Sequence, residues 1–356
     1  MIAGALEEIE ITIGGQPYRG FTSISISISV EQSARSASVT GSDLAGAARI
    51  NPGDDVTITA GGDLILTGFV RTITPSHDEN SHSLGIAIES KAADAAEASV
   101  DHKTGQVNKK DLTGIAKDFD TAGIGIVSDE TFPIERTSIV SLGNTLIGHL
   151  RPLARSHGAF LYDTPEGKIR VAKKPRGTHS GSLAIGEGGN IISASATISE
   201  ERRHDEIIVR GQSSRGTGDA AQRLEARAKD SSVKRKRPRI IVHEGEATAA
   251  KLKERAERAV KRAAGYSRQA SITVAGWRDQ GGRIFEPHFL IYVADPRIYI
   301  EQMMAINSVT LTQDTTDGGA GTRAVLGLVD PAALNGESAG GDSKFATPAV
   351  KGKVTS

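Results

Sequence analysis

The strongest structural signal in this 356-residue chain is a run of almost perfect alternation at residues 21–30. Every second position from Ile24 to Val30 carries a β-branched apolar residue, and serine occupies the positions between them. Because successive side chains of a β-strand point to opposite faces, this run predicts a strand with one buried and one polar face. The polar face consists of Ser23, Ser25, Ser27 and Ser29. Such a strand is typical of an antiparallel sheet that is covered on one side only.

Weaker patterns of the same kind predict that most of the chain is sheet. Residues 56–70 form a hairpin around the glycine pair at 61 and 62. Glycine makes up 40 of the 356 residues and aromatic residues only 4%, which favours many short strands and turns over a helical bundle. Further strands are predicted at 84–88, 191–198, 206–211, 239–242, 271–275, 289–293, 304–312 and 324–329.

Helical patterns are fewer and concentrate in the middle of the chain. Apolar residues at helical spacing predict helices over 91–99, 111–123, 141–157 and 247–264. Asp111 is a suitable N-cap for the second, and Pro152 inside the third predicts a kink or an early end. A hairpin at 159–171 completes a small α+β unit with the two middle helices.

The order of these elements predicts an α+β chain that is predominantly β. Four parts are expected: a sheet domain at 1–98, an α+β insert at 99–179, a second sheet domain at 180–334 that includes the helix at 247–264, and a tail at 335–356. The tail has scarcely any apolar anchor, so we expect it to be flexible.

Composition excludes several classes of protein. The chain has no cysteine, which excludes disulfide frameworks, zinc–thiolate sites and cysteine nucleophiles. No apolar stretch approaches the about 20 residues that a membrane helix needs, and the N-terminal residues lack the basic leader and apolar core of a signal peptide. We therefore expect synthesis and folding in a cytoplasm and no membrane insertion.

Motifs for enzymatic chemistry are weak. The glycine clusters at 186–189 and 318–321 lack a phosphate-loop lysine and the strand–helix context of a nucleotide site, so they are interpreted as turns. His77 and His82 flank a polar loop, and His204 precedes a predicted strand; neither supplies the helical spacing that fixes a catalytic zinc site. No serine nucleophile elbow is present. The sequence thus predicts no cofactor and no metal. A catalytic pair of acids that meets in a cleft stays open as an alternative, because its spacing depends on the tertiary structure.

The charge distribution is more informative than the net charge of zero. Residues 201–270 contain 19 lysines and arginines against 10 aspartates and glutamates. The densest run consists of Lys234, Arg235, Lys236, Arg237 and Arg239. Three interpretations stay open: an electrostatic interface with a protein, a solvated surface, or a nucleic-acid contact. Because no aromatic residues are interleaved, base stacking is the least favoured.

From residue 205 onward the chain contains a series of short motifs that begins with Asp-Glu-Ile-Ile-Val-Arg-Gly-Gln at 205–212 and Arg-Pro-Arg-Ile-Ile-Val at 237–242. This series resembles the Mu-type phage baseplate hub proteins. It continues through the helix at 247–264, Ile-Thr-Val-Ala-Gly-Trp at 272–277, and a hairpin at 309–328 that closes on Val-Asp-Pro. Gly-Asp-Asp-Val at 53–56 and Thr-Gly-Phe-Val at 67–70 agree in the first half. Phe285 stands where the family pattern has tryptophan, a tolerable aromatic exchange.

The resemblance implies a structural protein of a contractile tail, not an enzyme. It implies two barrel-like tube domains per chain and a homotrimer that forms a pseudo-sixfold ring. That ring would join the hexameric tail tube protein to the trimeric central spike protein, contact other baseplate proteins, and pass DNA through its lumen without specific binding. The expected location is the virion, after assembly in the host bacterial cytoplasm. The interface candidates are then the basic run 234–239 and the serine face of residues 23–29.

Three alternatives accompany this interpretation. A hub of a tail-like injection or gene-transfer particle would have the same sequence features. A tail-associated cell-wall hydrolase would need two acids that converge in a cleft. A free-standing nucleic-acid-binding protein would depend on the basic run alone.

Overall fold

The computed structural model describes residues 6–41, 50–79, 82–212, 224–243, 247–316 and 318–335. The predicted tail therefore lies outside the described residues, apart from Asn335. The chain is predominantly β, as the sequence predicted, and carries 21 strands in the described ranges. No helix in these ranges is long and apolar enough to cross a membrane.

The first third of the chain is almost entirely strand. Its elements are β1 (Ile9–Ile13), β2 (Gln16–Tyr18), β3 (Phe21–Ser29), β4 (Ser36–Gly41), β5 (Asp55–Ala60), β6 (Asp63–His77) and β7 (His82–Ser90). A 3₁₀ turn at Lys91–Ala93 and the short helix α1 (Asp94–Glu97) follow, where one longer helix was predicted.

The middle of the chain forms the predicted α+β unit. It contains β8 (Gln106–Lys110), α2 (Leu112–Phe119), β9 (Ile126–Val127), β10 (Glu135–Ile139), α3 (Leu146–His157), β11 (Phe160–Asp163) and β12 (Ile169–Ala172). Asp111 caps α2 as predicted, by accepting a hydrogen bond from the Gly114 amide at 2.8 Å. The predicted start of α3 was wrong: the helix begins five residues later, because Thr145 caps it. The helix continues past Pro152 and ends at His157, where Gly158 with a φ of 71° forms the C-cap.

The last part returns to strands around one long helix. Its elements are β13 (Thr178–Ala184), β14 (Ile191–Ile198), β15 (Glu206–Gly211), β16 (Leu224–Lys229), β17 (Arg239–Val242), α4 (Ala249–Tyr266), β18 (Arg268–Ala275), β19 (Leu290–Asp295), β20 (Ile300–Asp314) and β21 (Gly321–Val329). Thr248 caps α4 through a hydrogen bond from the Lys251 amide. Short 3₁₀ turns follow β19 and β21.

One 13-stranded sheet joins the two ends of the chain. Its main path runs β14-β18-β21-β20-β3-β4-β7-β6-β5-β1-β2, and β19 and β13 extend from β20. The link between the halves is the antiparallel pair β3–β20, in which Ile26 lies opposite Leu311. The described strands do not close into a barrel. Two separate barrel-like halves were expected, whereas the described strands of both halves belong to one open sheet.

The core confirms that the sheet is a single structural unit. The apolar residues of β3 pack in one cluster with those of β6, β20 and β21, and Ile26, Leu66 and Ile306 are each fully buried. Trp277 is buried in the same cluster and donates a hydrogen bond from its indole nitrogen to the Thr312 carbonyl at 3.0 Å. A second cluster fills the α+β unit.

The strands at 206–211 and 239–242 do not belong to the main sheet. They form a separate three-stranded sheet in the order β16-β15-β17. Its apolar face packs on α4 through Ile207, Val209 and Leu252. The apolar face of the helix is therefore buried against this small sheet.

Candidate functional site

The serine face of β3 continues across neighbouring strands. Ile24, Ile26 and Ile28 point into the core, and the four serines are partly exposed on the opposite side. Residues that are paired across adjacent strands share a face of the sheet. The register therefore identifies which side chains extend this polar surface.

Two rows of small side chains cross five adjacent strands without a fixed charge. The first row contains Ser29, Ser308, Gly327, Ser271 and Ser195. The second row contains Ser27, Thr310, Val325, Thr273 and Ser193. The first charged side chains appear in the next row, where Arg323 lies opposite Thr312.

On its other side β3 pairs with β4, and the neutral surface continues over that strand as far as Glu89 of β7, which lies opposite Ser36. Ser25 and Ser27 lie opposite Ser38 and Ser36. We call the two rows together with these serines of β3 and β4 the neutral face. The sequence identified only the β3 part, because the partner strands come from distant parts of the chain.

The basic run lies in the connection between β16 and β17. Lys234, Lys236 and Arg239 are exposed. Arg235 forms an ion pair with Glu200 at 2.6 Å, and its side chain is 65% exposed. The run is thus on a surface of the small sheet, and the main sheet contains none of it.

Arg237 fixes this connection to the loop before β15. Its guanidinium donates to the carbonyls of Glu200 and Glu201 at 3.1 and 2.6 Å. Its amide donates to the Asp205 carboxylate at 2.6 Å, and its carbonyl lies 3.0 Å from Nδ1 of His204. His204 therefore contributes to the hydrogen bonds that hold this connection at the start of β15.

A second ion pair supports the same loop. Arg203 binds both carboxylate oxygens of Asp230 at 2.8 and 2.9 Å. Burial opposes the charge of Asp230, but hydrogen bonds from Ser232 and Arg203 keep the pKa of this carboxyl below its usual value. The charged residues at 203–206 consequently serve the local fold.

The remaining sequence candidates take structural positions. His77 and His82 face each other across the β6–β7 hairpin with ring centroids 5.8 Å apart. Within the described ranges no three histidine, aspartate or glutamate side chains converge on a point that could hold a metal ion. The glycines at 186, 188, 318 and 321 all have positive φ angles, as turn residues do.

Two arginines that the sequence did not single out, the partly buried Arg278 and the buried Arg35, connect distant parts of the fold. Arg278 bridges Glu7 at 3.0 Å and Asp63 at 2.5 Å, and donates to the Ala60 carbonyl at 2.7 Å. Arg35 pairs with Asp163 of the α+β unit. No local pattern could have identified them, since their partners are far away in sequence.

The fold is that of known phage tail proteins. The structure is similar to the 43 kDa tail protein of prophage MuSo2 from Shewanella oneidensis, with a TM-score of 0.76 and 27% identity over 93% of this chain and 99% of that chain. The tail protein from Neisseria meningitidis MC58 shares the fold, with a TM-score of 0.76 and 18% identity over 91% and 96% of the two chains.

The two ends of the chain match models of a single protein family. Residues 8–87 match the N-terminal domain of the Mu phage baseplate assembly protein GpP-like family, and residues 248–337 match the fourth domain of the Mu phage baseplate assembly protein GpP. The chain is also 24% identical over 330 residues to the baseplate hub protein gp44 of Escherichia phage Mu, covering 87% of this chain and 85% of that protein. These matches confirm the resemblance to the Mu-type phage baseplate hub proteins and support a structural role in a phage tail baseplate.

Proposed function

We propose that the chain is a hub subunit that assembles as a homotrimeric ring between the hexameric tail tube and the trimeric central spike. The observation that carries this proposal is the β3–β20 pairing, which joins the two family-matched ends into one sheet. Three copies would present six sheet halves around one axis. A ring of this kind matches sixfold symmetry on one side and threefold symmetry on the other.

The neutral face is the surface that we assign to the channel. DNA binds proteins mainly through cations that replace the counterions of its phosphates. Two rows of serine, threonine, glycine and valine offer no such cations, so DNA would pass without being held. The basic run 234–239 is assigned to the outside or to an interface, since it belongs to the small sheet.

The domain division proposed from the sequence is retained with this function. Residues 1–98 and 180–334 would supply the two tube-like halves, and the insert at 99–179 would lie outside the ring. In this proposal the subunit is made and assembled in the host bacterial cytoplasm, contacts other baseplate proteins, and needs no cofactor and no catalytic residues.

The oligomer is tested by light scattering on the purified full chain, alone and mixed with the tube and spike proteins of the same particle. A mass of about three times 37.3 kDa is expected. A chain that stays a monomer in the presence of both partners contradicts the proposal.

The channel is tested with single cysteines, because the native chain has none. Ser27→Cys should react with a small maleimide but not with a long poly(ethylene glycol) maleimide once the ring has formed. Lys234→Cys is the matched control and should react with both. Equal reaction of the two variants with the large reagent would place residue 27 outside the channel.

Two alternatives are separated by other measurements. A hub of an injection or gene-transfer particle would form the same ring but would co-purify with a particle that lacks a replicating phage genome. A cell-wall hydrolase would release muropeptides from purified peptidoglycan, which the hub proposal does not expect.

A further inference from the structure

A groove of about 640 Å³ lies between α4, β17 and the C-terminal end of α3. Its walls come from the helix, the small sheet and the α+β unit, so no single stretch of sequence shows it. Six arginine side chains line it: Arg155, Arg202, Arg239, Arg255, Arg258 and Arg262. We call it the arginine groove.

Positive charge in the arginine groove is poorly balanced. Glu31 is the only carboxylate among the described lining residues, and it accepts a hydrogen bond from the Tyr266 hydroxyl at 2.8 Å. Burial lowers the pKa of Arg258, and the neighbouring Arg262 lowers it further, although Glu254 opposes both effects.

Contacts with the protein hold several of these cations in place. Arg258 donates to the carbonyls of Ser156 and His157 at the end of α3, at 2.7 and 3.4 Å. Arg262 lies over the ring of Phe160, with its guanidinium carbon 4.8 Å from the ring centroid. Cations that are already ordered lose little conformational freedom when a ligand binds.

Two of the arginines are available to a ligand. Arg155 and Arg239 are exposed, and neither forms an ion pair within the part of the chain that the structure describes. They lie on different elements, α3 and β17. An anionic segment placed in the groove could therefore contact both at once.

The floor of the groove is apolar and borders a strand edge. Ile207 and Ile241 line it, whereas Ile240 and Val242, on the opposite face of β17, are 54% and 69% exposed. Among the described strands β17 pairs only with β15, so none of them occupies its other edge. An extended peptide can pair with such an edge and place its alternate side chains on the two faces of the strand.

We propose that the arginine groove binds an extended acidic segment of a partner protein. Its carboxylates would pair with Arg155 and Arg239 on the groove side of β17, and its apolar side chains would cover Ile240 and Val242 on the opposite side. Duplex DNA fits less well, because it needs cations spread over an open surface at the spacing of its phosphates and gains nothing from an apolar floor. The proposal goes beyond the hub function and does not require the trimer.

The test measures fluorescence anisotropy of a labelled ten-residue peptide of alternating glutamate and valine with the full chain. We expect saturable binding that the double variant Arg155→Ser/Arg239→Ser weakens at least tenfold. Lys234→Ser/Lys236→Ser is the matched control: it removes two exposed cations outside the groove and should change binding less than twofold. Val242→Asp should weaken binding like the arginine variant.

Three results would overturn the proposal. Equal losses in the arginine and lysine double variants would mean that only overall charge matters. Equal binding of a glutamine–valine peptide would remove the role of the carboxylates. Displacement of the acidic peptide by a 20-base-pair DNA duplex at lower concentration than by unlabelled peptide would make the groove a nucleic-acid site. All substituted side chains are exposed, so unchanged thermal unfolding should accompany each variant.

Discussion

Replacing Asp163 with asparagine tests how the α+β unit is attached to the main sheet. Arg35, in the turn before β4, pairs with Asp163 at the end of β11, with 3.0 Å between Nε and Oδ2. The side chains are only 3% and 2% exposed. Arg35 also donates to the Ile65 carbonyl at 2.6 Å and to the Asp163 carbonyl at 3.3 Å. The guanidinium therefore has no route to water when its counter-charge is removed.

Asparagine keeps the shape of the side chain and one acceptor but leaves the Arg35 charge unpaired. Removal of one partner from a buried ion pair lowers the free energy of unfolding by about 3–5 kcal/mol. Because asparagine retains one hydrogen bond, Asp163→Asn should have a loss at the lower end, about 3 kcal/mol. In the double variant Arg35→Met/Asp163→Leu no buried charge remains, so the two changes should cost less together than separately. The Ile65 carbonyl then loses its donor, which keeps the double variant below wild type by about 1–3 kcal/mol.

Urea denaturation followed by circular dichroism, at one protein concentration, gives the free energies of unfolding. A double-mutant cycle with Arg35→Met, Asp163→Leu and the combined variant should show a coupling energy of about 2 kcal/mol. Glu200→Gln is the control, because the Arg235–Glu200 pair is exposed and should contribute at most about 1 kcal/mol. A loss below about 1 kcal/mol in Asp163→Asn, or no coupling, would refute the role of burial.

Two further predictions follow from burial. Ile26→Ala removes a fully buried side chain and should lower the free energy of unfolding by about 2–5 kcal/mol. Ser27→Ala, on the neutral face, should change it by about 0.5 kcal/mol or less. Similar effects of the two substitutions would contradict the assignment of the faces. Burial lowers the pKa of His243 from 6.5 to about 4, and the positive charges of Arg255 and Lys251 contribute to this decrease. As the pH falls, His243 is therefore protonated in the unfolded chain before it is protonated in the folded chain. Thermal stability should decrease between about pH 6.5 and 4, and it should decrease less in His243→Gln. An equal decrease in the variant would contradict a contribution of His243.

Much of the fold could be predicted because its signals are local. The alternation at 21–30 sets both the strand β3 and which of its faces is buried, since side chains alternate with a period of two. Strands β14, β15 and β17 have the bounds that the sequence predicted. The glycine clusters were correctly interpreted as turns, because positive φ angles are cheap only for glycine.

Errors in the predicted elements have identifiable causes. Strand β13 falls in a stretch of serine and glycine with low strand propensity, and it forms because it pairs in parallel with β19. Helix α3 begins at the cap that Thr145 provides, after a turn whose apolar Leu142 is fully exposed. In both cases a tertiary or capping interaction outweighed the local pattern.

The sequence by itself determined that this chain is mostly β, that one face of β3 is polar and neutral, and that positive charge is concentrated at 201–270. Only the tertiary structure decided what lies beside those features. It pairs β3 with β20, places the basic run on a separate small sheet, and brings arginines from α3, β17 and α4 into one groove. The physical reason is that periodicity reports the faces of one element, whereas strand partners and charge clusters depend on the packing of elements far apart in the chain.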